Sequence, residues 1–189
     1  MFSHKGKTRT EKHNLGIASL LSFVAGLVNV EGFFFFFLLT TNVTGHFAYF
    51  VDEAFKQDFR SAFHVALYIF FFFLGAFISN FMVEIYSRRR ENLIYVVPTI
   101  TEAVILAGIG VTGTYLLSKN PDLIAFSLLF AMGMQNSLVT SISNAVVRTT
   151  HLTGLFTDMG IEFSQLFFYK DQKHKKKLIK SIKLRLTII

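Results

Sequence analysis

Four long apolar stretches constrain this chain more than any other feature of its sequence. They cover residues 15–39, 61–85, 93–117 and 122–147 and hold few charged side chains. With a rise of 1.5 Å per residue, about 25 residues make a helix of roughly 37 Å, long enough to cross a hydrocarbon core of about 30 Å. We therefore predict an all-α, polytopic membrane helix bundle with four complete transmembrane helices and the start of a fifth.

The composition excludes the main soluble classes. Of the 189 residues 52% are apolar and 16% are charged, whereas a soluble domain carries roughly a quarter charged residues.

Cysteine is absent, which excludes disulfides, thiolate metal sites and cysteine nucleophiles. No pair of residues has the character of a nucleophile and its base, so we expect no enzyme and no catalytic residues. We also expect no cofactor and no metal site.

The charges predict the orientation in the membrane. The net charge is +7, and most of the basic residues lie in three clusters beside the apolar stretches. With a cytoplasmic N-terminus, sixteen Lys and Arg fall on the inner side and three on the outer side, as the positive-inside rule requires. The partners that this distribution favours are the lipid bilayer and its anionic headgroups, and we expect no nucleic acid.

A repeated string indicates an internal duplication. TTNVTG at residues 40–45 follows the first apolar stretch, and TTHLTG at residues 149–154 follows the fourth. These two stretches cross the membrane in opposite directions in the predicted topology, so the copies are related by inversion.

The repeat predicts how the chain is divided. Residues 1–14 form a basic cytoplasmic tail, and residues 15–117 form the first three-helix repeat. Residues 122–189 begin a second, inverted repeat with one helix, an interfacial segment, a basic loop and the start of the next helix. The alignment implies a three-plus-three architecture, for which the second repeat needs roughly 35 to 45 further residues.

Two motif pairs resemble a known family. GLVNVEGF at residues 26–33 with VTGH at 43–46, and GMQNS at 133–137 with TTHLTG at 149–154, are similar to signatures of the YoaK-type bacterial membrane proteins, domain of unknown function 1275. The resemblance implies a six-helix, multi-pass protein of the bacterial inner (cytoplasmic) membrane. The family usually has Asp at the position of Asn29 and Asn at that of His46, so this chain lacks a titrating carboxylate at the first position.

Polar residues inside membrane spans are costly and mark functional candidates. The set here is Asn29, Glu31, Glu102, Gln135, Asn136 and Asn144. Asn29, Gln135 and Asn136 lie near mid-depth, where repeat-built transporters bind substrate, and their amides suit a polar solute or an ion. The repeated strings add four candidate substrate-binding positions, namely Thr44, Gly45, Thr153 and Gly154. Glu102 and Glu31 are candidates for proton coupling.

Two other patterns are typical of structure rather than function. Small residues form a stripe on the third span, at Ala103, Ala107, Gly110 and Thr114, which predicts close helix packing. The runs Phe33 to Phe37 and Phe70 to Phe73 are interpreted as lipid-facing apolar filler.

The sequence leaves two functions open. One is a transporter of a small polar solute or ion, with its site at the interface of the repeats. The alternative is a non-transporting membrane scaffold or signalling partner whose polar residues only join helices, or a truncated remnant of such a protein. Neither composition nor motifs name a substrate.

Overall fold

The computed structural model describes residues 11–37, 39–89, 93–143, 152–168 and 171–188, and in these ranges every regular element is helical. The helices are α1 (Glu11–Phe36), α2 (Val43–Phe55), α3 (Phe59–Arg89), α4 (Val96–Lys119), α5 (Pro121–Ser143), α6 (Leu152–Phe168) and α7 (Gln172–Ile188). The predicted all-α class is confirmed.

Three of the described helices are long and apolar enough to cross a bilayer. They are Phe59–Arg88 in α3, Val96–Lys119 in α4 and Pro121–Ile142 in α5, with mean hydropathies of 2.1, 1.6 and 1.5. The apolar part of α1, Leu20–Phe35, is shorter. The described helices therefore fit a membrane protein, and the fourth crossing by α1 stays a prediction.

Helix α5 is the centre of the bundle. It packs against α1, α3 and α4, and 61% of its apolar stretch is buried, against 11% in each of α3 and α4. Its residues Ile124, Leu128 and Met132 form a core with Ala25 and Val28 of α1. The opposite faces of α3 and α4 are left exposed, as expected of surfaces that lipid covers.

Contacts along the helices give their relative directions. Near the start of both α3 and α5, the His64 Nε2 atom lies 3.3 Å from the Asp122 Oδ1 atom. Toward their ends, the Ser141 hydroxyl donates to Asn80 Oδ1 at 3.4 Å. These two helices are therefore parallel. A single residue, Asn120, connects α4 to α5, and the two helices run antiparallel.

Two glycines bring α3 and α5 into backbone contact. A Cβ atom placed on Gly75 would lie 2.0 Å from the Phe130 carbonyl oxygen, and one on Gly133 would lie 2.0 Å from the Phe72 carbonyl oxygen. Without a side chain at either position the two backbones pack directly, as small residues allow in membranes.

The stripe of small residues on α4 does not form such a contact. Ala103, Ala107, Gly110 and Thr114 are all exposed, and a Cβ on Gly110 would meet nothing within 4 Å. The prediction that this stripe is a packing face of the described bundle is wrong. The opposite face, with Ile105 and Ile109, packs on the core instead.

The short helices α2 and α6 begin at matching positions of the repeated string. Val43 opens α2 and Leu152 opens α6, and these are the fourth residues of TTNVTG and TTHLTG. Helix α2 packs on α3 and α6 packs on α7, while α3 packs on α5 and α7 packs on α1. If α1, α2 and α3 are exchanged with α5, α6 and α7, each of these described contacts therefore corresponds to another of them.

Helix α7 differs from the predicted basic loop. It begins at Gln172, so Lys173 to Lys177 lie in its first turns. Farther along, Arg185 binds α6: its Nη1 atom donates to Asp158 Oδ2 at 2.8 Å, and its Nε atom donates to Glu162 Oε2 at 3.2 Å. This ionic contact joins the two helices.

Candidate functional site

The most unusual polar group in the described bundle is the amide of Gln135 on α5. Its side chain is fully buried, and neither Nε2 nor Oε1 has a hydrogen-bond partner among the described residues. The carboxyl of Glu102 on α4, itself 4% exposed, faces this amide but does not reach hydrogen-bond geometry with it. We refer to Glu102 and Gln135 as the buried polar pair.

Helical spacing explains why these two side chains meet. Gln135 follows Ala131 and Met132 by one turn, and Ala131 and Met132 belong to the α1–α5 core. Glu102 precedes Ile105 of α4 by one turn, and Ile105 packs on the same core. Residues three or four apart share a face of a helix, and α4 is antiparallel to α5, so both side chains lie at one end of the core.

An unpartnered amide in such a place is costly. A buried polar group without a hydrogen bond costs about 1–3 kcal/mol, and most buried groups in proteins find a partner. The amide can donate two hydrogen bonds and accept two, while the carboxyl adds acceptors or a proton. The pair therefore offers unused hydrogen-bonding capacity between two helices.

Asn29 has a different environment. Its Nδ2 atom donates to Thr41 Oγ1 at 2.6 Å, and its Oδ1 atom accepts from Thr40 Oγ1 at 2.8 Å and from Thr41 N at 3.1 Å. These bonds hold the turn between α1 and α2 against α1. Among the described contacts none joins Asn29 to Gln135, so the structure does not bring these two predicted site residues together.

The repeated strings open the short helices. Thr44 is exposed in the first turn of α2, and Gly45 donates its N–H to Asn42 Oδ1 at 3.0 Å, which caps that helix. Thr153 and Gly154 lie in the first turn of α6. Asn136 is half-buried beside Gln135. Asn144 and His151 lie outside the described residues.

The two candidate proton-coupling residues are separate. Glu31 is exposed and lines a cavity of about 180 Å³ between α1, α4 and α5, with Gly113 and Leu128 also in its wall. This cavity lies at the C-terminal half of α4, whereas Glu102 lies in its N-terminal half. Only Glu102 is part of the buried polar pair.

The sequence reasoning missed one constellation of titratable residues. His64 Nε2 lies 3.0 Å from the Tyr68 hydroxyl and 3.3 Å from Asp122 Oδ1, and the rings of Tyr68 and His46 are 5.7 Å apart. His64 and Tyr68 are four residues apart on α3, so they share a face. That spacing was visible in the sequence, but the contributions of α2 and α5 were not.

His46 is held neutral by its surroundings. Burial lowers the pKa of its imidazole below the ordinary value of 6.5, and the bond to the Leu39 carbonyl offsets this only partly. The carbonyl can only accept, so the Nε2 atom, 2.9 Å away, carries the proton and donates it. The neutral ring then keeps an acceptor at Nδ1.

The comparisons with known proteins agree with the motifs. The family model described as "Protein of unknown function (DUF1275)" matches residues 17–189. No curated protein and no solved structure matches the chain. This match confirms the predicted resemblance to domain of unknown function 1275, and the function of that family is unknown.

Proposed function

Because the chain belongs to the DUF1275 family, whose function is unknown, we propose a function from its own residues: it is a membrane protein that binds and moves a small polar solute or ion. The observation that supports this proposal is the amide of Gln135 on the central helix α5. It is buried beside the Glu102 carboxyl and has no hydrogen-bond partner among the described residues. A ligand with hydrogen-bonding groups would satisfy both side chains. Glu102 is the residue that we propose for proton coupling.

The architecture that we propose for this transport is an inverted repeat. The matching starts of α2 and α6 and the exchangeable packing partners of the two halves support it. In repeat-built transporters, sites lie between the halves because those halves rock against each other. The buried polar pair joins α4 of the first repeat to α5 of the second, which meets that requirement.

The second candidate function is a scaffold in which polar groups only join helices. The bonds from Asn29 to Thr40 and Thr41 favour it, because in them an amide that the sequence offered as a binding group joins α1 to the following turn. The two functions therefore assign different roles to Asn29 and Gln135. Substitution of each by Leu separates them.

The test is a thermal-unfolding screen of the purified protein with polar solutes and inorganic monovalent ions, none of which carries an alkylammonium group. Under our proposal, Gln135→Leu raises the ligand-free stability by about 1–3 kcal/mol, because it removes an unsatisfied polar group, and abolishes the stabilisation that any hit gives. Asn29→Leu, the matched control, lowers the ligand-free stability and leaves the ligand response in place. Destabilisation by Gln135→Leu without any ligand effect would support the scaffold.

A further inference from the structure

A second cavity lies away from the buried polar pair, where the end of α1 meets α2 and α3. Its volume is about 310 Å³, which is within the size range of small-ligand sites. Four aromatic rings and two polar side chains dominate its wall: Phe33, Phe37, Tyr49, Tyr68, His46 and Asn42. Among the described residues that line it there is no Lys, Arg, Asp or Glu.

The backbone at the rim of this cavity is strained. Phe37 has a φ of 52°, a left-handed conformation that is rare for a bulky residue. This conformation turns the chain after α1, and the Phe37 ring contacts the Phe33 ring edge-on with centroids 6.0 Å apart. Two of the rings interpreted from the sequence as apolar filler therefore line a cavity.

The charges around the cavity favour a cation over an anion. His46 stays neutral, and the side chain of Tyr68 leads through His64 to the Asp122 carboxylate behind the aromatic wall.

We propose that this cavity binds an alkylammonium group, either a free solute or the headgroup of a lipid. The negative faces of aromatic rings attract such cations, and several rings around one cavity form the kind of cage that recognises quaternary ammonium. The site is independent of the function proposed for the buried polar pair.

The test compares choline with 3,3-dimethyl-1-butanol, a neutral molecule of the same shape, by calorimetric titration of the protein in a maltoside detergent. We expect choline to bind and the neutral analogue to bind at least about tenfold more weakly, since each of several rings attracts the cation and not the neutral molecule. Equal binding of the two molecules, or no binding of choline, would overturn the proposal.

Substitutions locate the site. Tyr49 is 64% exposed, so its replacement leaves the fold intact. We expect Tyr49→Leu to weaken choline binding about three- to tenfold and Tyr49→Phe, which keeps the ring, to preserve it. Phe77→Leu, on the exposed face of α3 and outside the cavity wall, is the matched control. Unchanged binding in Tyr49→Leu would contradict the site.

A third arm distinguishes the two sources of the cation. Dihexanoylphosphatidylcholine is added at the same headgroup concentration as choline. If this lipid competes with choline for the cavity, we assign a lipid headgroup as the ligand. If it does not compete, we assign a free alkylammonium solute. Gln135→Leu leaves choline binding unchanged under our account, so this site and the proposed transport function fail separately.

Discussion

At the scale of single residues, Gly45 shows why a predicted ligand residue has a structural role. A Cβ atom at this position would lie 2.6 Å from Asn42 Nδ2 and 3.0 Å from Asn42 Cγ. The Asn42 side chain occupies that space because it caps α2. The absence of a side chain at Gly45 is therefore required by the cap.

We expect Gly45→Ala to displace the Asn42 cap, which contributes about 1 kcal/mol, and therefore to have a free energy of unfolding lower than that of Gly26→Ala by about this amount. Gly26→Ala is the matched control, because a Cβ there meets nothing within 4 Å and alanine favours a helix over glycine by about 1 kcal/mol. Thermal unfolding followed by circular dichroism measures both. A loss of stability in Gly26→Ala equal to that in Gly45→Ala would refute the cap as the cause.

The buried imidazole of His46 makes stability depend on pH. Its pKa is lower in the folded protein than the ordinary 6.5 because of burial, so the unfolded chain takes up the proton first. This contribution to stability is complete above about pH 6.5 and is lost as the pH falls toward the folded pKa.

We therefore expect the midpoint of thermal unfolding of the wild type to fall more between about pH 7.5 and about pH 5.5 than that of His46→Gln. Glutamine can still donate to the Leu39 carbonyl that His46 contacts, but it has no proton to gain. The same pH dependence in both proteins would show that another group is responsible. His64, Tyr68 and Asp122 face His46 or its neighbours and are unchanged in both proteins.

At the scale of helices, the contact between α3 and α5 depends on Gly75 and Gly133. A methyl group on either glycine would meet the backbone of the other helix at 2.0 Å, and backbone cannot move aside as a flexible side chain can. We expect Gly75→Ala to lower the free energy of unfolding by about 3 kcal/mol, because overpacking a tight contact forces the elements apart.

Gly108→Ala on α4 is the control for this prediction, since a Cβ there meets nothing within 4 Å. Unfolding in detergent with a graded denaturant compares the two variants. If both change stability by the same amount, the loss comes from the helix backbone itself and not from the contact between α3 and α5.

The helices also show which structural features the sequence predicts and which it does not. Apolar length located α3, α4 and α5, because a span is a local property of about 20 residues. The prediction failed for the small residues of α4, which have the right spacing for packing but face away from the core. Spacing gives a face of a helix, whereas the choice of the packed face depends on which neighbours the whole fold supplies.

The candidate site was predictable to a similar extent. Glu102 and Gln135 were singled out because polar residues in apolar stretches are rare, but no local pattern joined them, since they lie on separate helices. Asn29 fits the same rule and binds Thr40 and Thr41 instead. The cluster around His64 was missed because its members come from α2, α3 and α5 and none is unusual alone.

At the scale of the whole molecule, two parts of the chain resemble each other. The chain repeats a string, a short helix and a set of packing partners. In the architecture that we propose, the buried polar pair lies between α4 of the first repeat and α5 of the second. In that architecture the surroundings of the site would change as the halves move, and this is the basis of the proposed transport function.

The inversion of the two halves across the membrane is the central claim, and the absence of cysteine in the chain allows a direct test. Val43→Cys and Leu152→Cys place single thiols at the starts of α2 and α6, and intact cells are treated with a membrane-impermeant thiol reagent. The account predicts labelling of Val43→Cys in intact cells and of Leu152→Cys only after permeabilisation. Labelling of both in intact cells, or of Leu152→Cys alone, would contradict it.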